Sequence, residues 1–144
     1  MILVDANLLI YAIDTDSAHH VKARRWLEKM LSSDTWVGLP WIALLAFVRI
    51  TTRAGIMRKP LSVEQAVGFI DSWLAQPYVT FVGPTETHWP VFRNMLVSNG
   101  TVGNLTSDAH LAALAIEHGC ELASADNDFR RFTGVTQVNP ITDN

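Results

Sequence analysis

An α/β layer structure, with a mainly parallel central sheet of about five strands flanked by helices, follows from three features of this sequence. Short apolar runs of strand length alternate with longer amphipathic segments of helical period. Capping and stopping residues stand at the ends of the longer segments, Ser62 and Pro77 at one of them and Gly119 at another. No repeat, low-complexity tract or linker interrupts the alternation, so one domain over residues 1–144 is expected.

Taken in order, "ILVD" (2–5) reads as a buried strand running straight into the helical "ANLLIYAI". Asp16 or Ser17 caps a second helix through about Leu31, whose apolar stripe is Val21, Trp26, Leu27, Met30 and Leu31. "WVGL" (36–39) is a second strand. Pro40 suits the first turn of the helix "PWIALLAFVRITTRAG", which ends near Gly55. "SVEQAVGFIDSWLAQ" (62–76) is a helix capped by Ser62. "YVTFVG" is a third strand, and "TETHWPVFRNMLVSNG" is helical with Pro90 near its start. "TSDAHLAALAIEHG" is a helix capped by Thr106 or Ser107 and ended by Gly119; "CELAS" and "VTQVNP" complete the strands.

A length of 144 residues with 49% hydrophobic content is enough for a sizeable core. No apolar run approaches the roughly 20 residues needed to span a bilayer. The apolar N-terminus carries Asp5 and Asn7 and lacks a basic start, so no signal peptide is expected. The single cysteine, Cys120, allows neither an internal disulfide nor a cysteine-based zinc site, and a cytoplasmic protein is the default. The net charge of −3 alone argues against a nucleic-acid binder. The cations are grouped, however: Lys22, Arg24, Arg25 and Lys29; then Arg49, Arg53, Arg58 and Lys59; then Arg130 and Arg131. With four aspartates assigned to a divalent metal, the remaining formal charge is about +1, which a polyanionic substrate tolerates.

In open α/β sheets ligands bind outside the carboxyl ends of the strands. Asp5 ends the first strand, and Asp126 and Asp128 lie just beyond the fourth, in "SADNDF". Asp108 opens the helix that leads back into the fourth strand, so its start is on the same side. Each acid has a plain structural use: Asp5 as a helix cap, Asp108 against a helix dipole, Asp126 or Asp128 in an Asx-turn. Their convergence is harder to explain without a cation, because like charges gathered at one edge repel. Oxygen-only donors favour Mg²⁺ or Mn²⁺ over zinc, and such ions hold phosphate oxygens and activate water.

"MILVDANLLIYAID", "LLAFVRI" and "SDAHLAALAIEHGCELASADNDF" together resemble a PIN domain, and within that group the VapC toxins of toxin–antitoxin pairs. The resemblance covers nearly the whole chain. It implies a PIN-like fold and a Mg²⁺- or Mn²⁺-dependent endoribonuclease, restrained by a VapB-type antitoxin and forming a homodimer. By position it assigns Asp5, Asp108 and Asp126, with Asp128, to catalysis and metal binding. Asn7 stands two residues after the first acid, Ser124 stands where a threonine is frequent, and both are expected at the substrate with Arg49. One departure is Ala46, at a helical position where many members carry glutamate, three residues before Arg49. Arg49 then contacts the scissile phosphate or ties down a carboxylate. A PIN-fold module that binds antitoxin or RNA with impaired catalysis is the alternative. A phosphoacceptor receiver domain also gathers aspartates at a sheet edge, but needs one at the end of its third strand, where this chain reads "FVGP".

Other residues have plainer readings. His19 and His20 read as a solvated helix start, His110 as pointing away from Asp108, and His118 as a helix-end residue. Trp26 and Trp73 read as core or interface, Trp41 lies near the proposed edge, and Cys120 is expected in the core. Arg130 and Arg131 either steer phosphate or cover a surface turn.

Overall fold

The computed structural model describes residues 1–100, 103 and 105–143. Among these, five strands form one sheet in the order β3-β2-β1-β4-β5, with every neighbouring pair parallel. They are β1 (Ile2–Val4), β2 (Val37–Pro40), β3 (Val79–Val82), β4 (Glu121–Ala123) and β5 (Gln137–Val138). The helices are α1 (Ala6–Ile13), α2 (His20–Leu31), α3 (Trp41–Thr51), α4 (Val63–Leu74), α5 (His88–Asn99) and α6 (Leu105–Glu117). A 3-10 helix spans Asn127–Arg131. No helix among the described residues is long and apolar enough to cross a membrane.

Strand alternation divides the core. Ile2 and Val4 pack into a cluster with Leu8, Leu9, Leu27, Phe47 and Trp73 from α1 to α4. Leu3 packs into a second cluster with Met95 of α5, Leu111 and Leu114 of α6, and Phe129 and Phe132 around the 3-10 helix. The central β1, paired with β2 on one side and β4 on the other, is therefore apolar on both faces. Gly38 is required where β2 crosses this packing: a Cβ there would lie 2.5 Å from Leu3 Cδ2 and 2.6 Å from Val82 Cγ2.

Several boundaries differ from expectation for identifiable reasons. α2 begins at His20, not after Asp16 or Ser17. The Asp14 carboxylate accepts from the Asp16 amide and the Ser17 hydroxyl from the His19 amide, which holds residues 14–19 in turns. α3 stops at Thr51, short of Gly55, with Pro40 as its N-cap rather than in its first turn. Thr51 and Thr52 donate their hydroxyls back to the carbonyls of Phe47 and Val48, and the Thr51 carbonyl leaves the helix to accept from Leu61 N. α6 starts at Leu105, so Thr106 and Ser107 lie inside its first turn instead of capping it. Gly119, at φ +63°, follows its end as expected, and Cys120 N donates to Ala115 O at 2.8 Å. Ser62 caps α4 in a reciprocal capping box with Gln65. Cys120 is half-buried and packs against the second core cluster from its edge, with its thiol donating to the His118 carbonyl at 3.2 Å.

Candidate metal centre and cleft

The acids are held by the joint between β1 and β4. Asp5 caps α1, its Oδ1 accepting from Ala6 N at 2.7 Å. Its Oδ2 accepts from Ser124 Oγ at 2.7 Å and from Asn7 Nδ2 at 3.4 Å. Ser124 has no exposed surface, and its hydroxyl also accepts from Asn7 Nδ2 at 3.1 Å and from Asp126 N at 3.0 Å. Asn7 Oδ1 in turn accepts from Ala125 N at 3.2 Å. Asp126 Oδ1 accepts from Asp128 N at 2.9 Å, an Asx-turn that also caps the 3-10 helix. Two of the plain structural uses, the Asp5 cap and the Asp126 Asx-turn, are thus present together with the convergence.

Carboxylate oxygens of Asp108, Asp126 and Asp128 lie within 4.8 Å of one another. Asp5 stands beside this triangle, close enough for its charge to act on Asp108. Burial first, then the charges of Asp126, Asp5 and Asp128, push the Asp108 carboxyl up to about 6, against the opposing pull of Arg131. Burial also raises Asp5, outweighing the hydrogen bonds from Ser124 and Ala6, and Asp126 adds to the rise. The donor set is oxygen only and closely gathered, which suits a hard divalent cation such as Mg²⁺ or Mn²⁺. It does not suit zinc, which prefers nitrogen and sulfur ligands.

A cleft of about 310 Å³ opens beside Asp5 and Asp108. Leu45, Ala46 and Arg49 of α3 line it together with Ser107. Ala46 supplies no oxygen there. Arg49 is exposed and makes no ion pair among the described residues, so it ties down no carboxylate. Asn7 and Ser124 were expected at the substrate. Their polar atoms bond Asp5, the Asp126 amide and the Ala125 amide, and so orient the acids.

Two residues that hold the second acid loop were missed. Gln137 Nε2 donates to the carbonyls of Ser124 and Asp126 at 3.1 and 2.8 Å. Asn139 Nδ2 donates to Ala125 O at 3.3 Å and Asn127 Oδ1 at 2.9 Å. Side-chain amides inside the short strand segment "VTQVNP" were the available signal. His110 does point away from the acids: its Nδ1 meets His88 Nε2 at 2.9 Å, and His88 Nδ1 meets the buried Glu117 Oε2 at 2.7 Å. His118 bonds the Gly83 carbonyl at 2.8 Å. Trp41 is exposed and stacked on Phe81, ring centres 4.5 Å apart.

The profile of the PIN domain matches residues 2–135 of the chain. Ribonuclease VapC37 of Mycobacterium tuberculosis is 46% identical over 140 residues, covering 97% of each protein. Ribonuclease VapC33 of the same species is 36% identical over 141 residues, covering 98% of this chain and 99% of the relative. Among solved structures, VapBC2 from Rickettsia felis, bound to a DNA fragment from its promoter, matches with a TM-score of 0.72 at 17% identity, covering 96% and 98%. Mycobacterium tuberculosis VapC20, described as a sarcin-ricin loop cleaving toxin, matches with a TM-score of 0.71 at 20% identity, covering 97% and 100%. At those identities the two structures speak for the fold. The parallel sheet, the acids at the ends of β1 and β4, and relatives of nearly equal length together place this chain in the PIN-domain family and, within it, among the VapC ribonucleases.

Proposed function

We propose that the protein is the toxin of a type II toxin–antitoxin pair, a Mg²⁺- or Mn²⁺-dependent endoribonuclease that hydrolyses RNA phosphodiester bonds. The observation that carries this reading is the convergence of Asp108, Asp126 and Asp128 beside Asp5. Support comes from relatives named as ribonucleases along their whole length, and from structural neighbours solved as VapBC complexes. A VapB-type antitoxin as partner, a homodimer and a cytoplasmic setting belong to the same reading.

Asp108, Asp126 and Asp128 would hold the cation, with Asp5 oriented toward it by Ser124 and Asn7. A divalent ion in that position supplies an activated water and neutralises charge on the phosphate. The chain's own part is to fix the acids before substrate arrives and to offer Arg49 in the same cleft for a phosphate oxygen. Hydrolysis of this kind leaves a 3′-hydroxyl and a 5′-phosphate, and the RNA 2′-hydroxyl is not used as nucleophile. The test is to map RNA ends after induced expression and with purified protein in Mg²⁺ or Mn²⁺. Asp5→Ala and Asp108→Ala should abolish cleavage; cleavage that survives them defeats the reading.

Ala46 favours one alternative, a PIN-fold module that binds antitoxin or RNA with impaired catalysis, because the cleft wall lacks a carboxylate at that point. Absence of cleavage in Mn²⁺ by protein that still binds the ion would select it.

A further inference from the structure

We propose that the exposed face of α2 bearing Lys22, Arg25 and Lys29 is a track for the phosphate backbone of single-stranded RNA leading away from the acidic cluster. This rests on the ribonuclease reading of that cluster. The spacing of the three residues puts them on one side of the helix, opposite the buried Ala23 and Leu27. All three are exposed. Among the described residues none has a carboxylate within 4.0 Å.

Two acids near it, Glu28 and Asp143, are already engaged. Glu28 accepts from Arg24 Nε at 2.9 Å. Asp143 lies 3.8 Å from Arg130 Nη2, and its other carboxylate oxygen accepts from Asn139 N at 2.8 Å. The stripe therefore keeps its positive charge.

It is also joined to the site. Lys22 Nζ donates to the Ile141 carbonyl at 3.1 Å, a bond that holds the ammonium in place without neutralising it. The segment containing Ile141 is fixed to the 3-10 helix by Asn139 on Asn127 at 2.9 Å and by Asp143 on Arg130. That 3-10 helix carries Asp128, one of the clustered acids, and Arg131, whose charge reaches Asp108. One short segment, through Ile141, Asn139 and Asp143, thus links Lys22 on α2 to the 3-10 helix that carries Arg131. Arg49 lines the cleft beside Asp5 and Asp108. A protein of net charge −3 with a cluster of carboxylates at its reactive edge repels a polyanion unless cations are concentrated along the approach. Contacts of this type are to phosphates, so the track adds affinity without sequence preference.

The test is binding of a fluorescent single-stranded RNA of about 20 nucleotides, and of one of about 4, in EDTA so that nothing is cleaved, across a salt series. Arg25→Gln/Lys29→Gln should weaken binding of the long strand on the order of tenfold at about 0.1 M salt. The slope of log K against log salt should fall by about 1.4, corresponding to two lost contacts to a single strand. Affinity for the short strand, and its cleavage rate in Mn²⁺, should not change. Unchanged affinity and slope for the long strand overturn the proposal. So does a variant that binds RNA normally but loses affinity for the antitoxin, which would make the stripe a protein-docking face. If the wild type cuts no RNA yet the slope still falls, the track stands and the ribonuclease reading fails.

Discussion

Ser124 joins the two halves of the site through one hydroxyl: it donates to Asp5 and accepts from Asn7 and from the Asp126 amide. Ser124→Ala leaves those groups short of a partner in a buried place. It should cost about 1–3 kcal/mol of stability by denaturant titration and weaken Mn²⁺ binding by roughly 10–100-fold, as loss of an outer orienting group does. Ser124→Thr keeps the hydroxyl and should restore most of the metal affinity. Asp108 gives a prediction with a definite sign. Its folded value of about 6 lies above the ordinary 3.8, so the fold binds more protons than the unfolded chain between those values. In EDTA, this group's contribution therefore favours folding below pH 3.8, diminishes as pH rises through about 6, and is unfavourable at pH 7. Asp108→Asn should raise metal-free stability at pH 7 by about 1 kcal/mol or less, since the group is only partly buried and solvent screens it, and should flatten the pH dependence in that window. An unchanged pH profile would show that neither burial nor the neighbouring carboxylates raise Asp108.

The α5 and α6 helices are held together by a feature that no local pattern announces. The Glu117 side chain is fully buried, accepts from Thr85 N at 2.9 Å and pairs with His88, which in turn meets His110. His88→Ala would strand a buried carboxylate and should destabilise the protein by about 3–5 kcal/mol, whereas Glu117→Gln, which removes the charge, should cost less. Chemical denaturation of both variants checks the order; equal losses would mean that the charge itself is not what His88 answers. Glu117 and His88 are 29 residues apart on different helices, so their pairing could not be read from the chain. The elements themselves were legible: α1 has the bounds that "ANLLIYAI" suggested, and the five strands follow the apolar runs. The misplaced ends, at α2, α3 and α6, are places where Ser, Thr or Asp side chains bond nearby backbone, or where a plausible cap lies inside the first turn. The site was legible for a different reason. A parallel sheet brings its strand ends to one edge, so acids after β1 and β4 had to meet. The orienting roles of Ser124, Asn7, Gln137 and Asn139 depend on which atoms face inward, and spacing does not encode that.

The molecule as a whole concentrates negative charge at the carboxyl end of its sheet, where Asp5, Asp108, Asp126 and Asp128 act on one another. Such an arrangement stores repulsion in the metal-free fold, and a divalent cation should relieve it. Binding to the folded state alone at about 100 times Kd adds about 2.7 kcal/mol. For a chain of this size, Tm should then rise by roughly 5–10 °C in saturating Mn²⁺. The rise should shrink as pH falls through about 6, where Asp108 takes up a proton that competes with the ion. Asp126→Asn and Asp128→Asn should each reduce it, because both acids lie in the triangle with Asp108. Ala46→Glu faces the same cleft and adds an oxygen donor to the one that Asp5 and Asp108 line. It should lower metal-free stability through added repulsion while increasing the Mn²⁺-induced shift, a pair of opposite changes that thermal melts with and without EDTA resolve directly. If Ala46→Glu changes neither quantity, position 46 is too far from the cation to matter, and the three-aspartate triangle is the whole of the metal site.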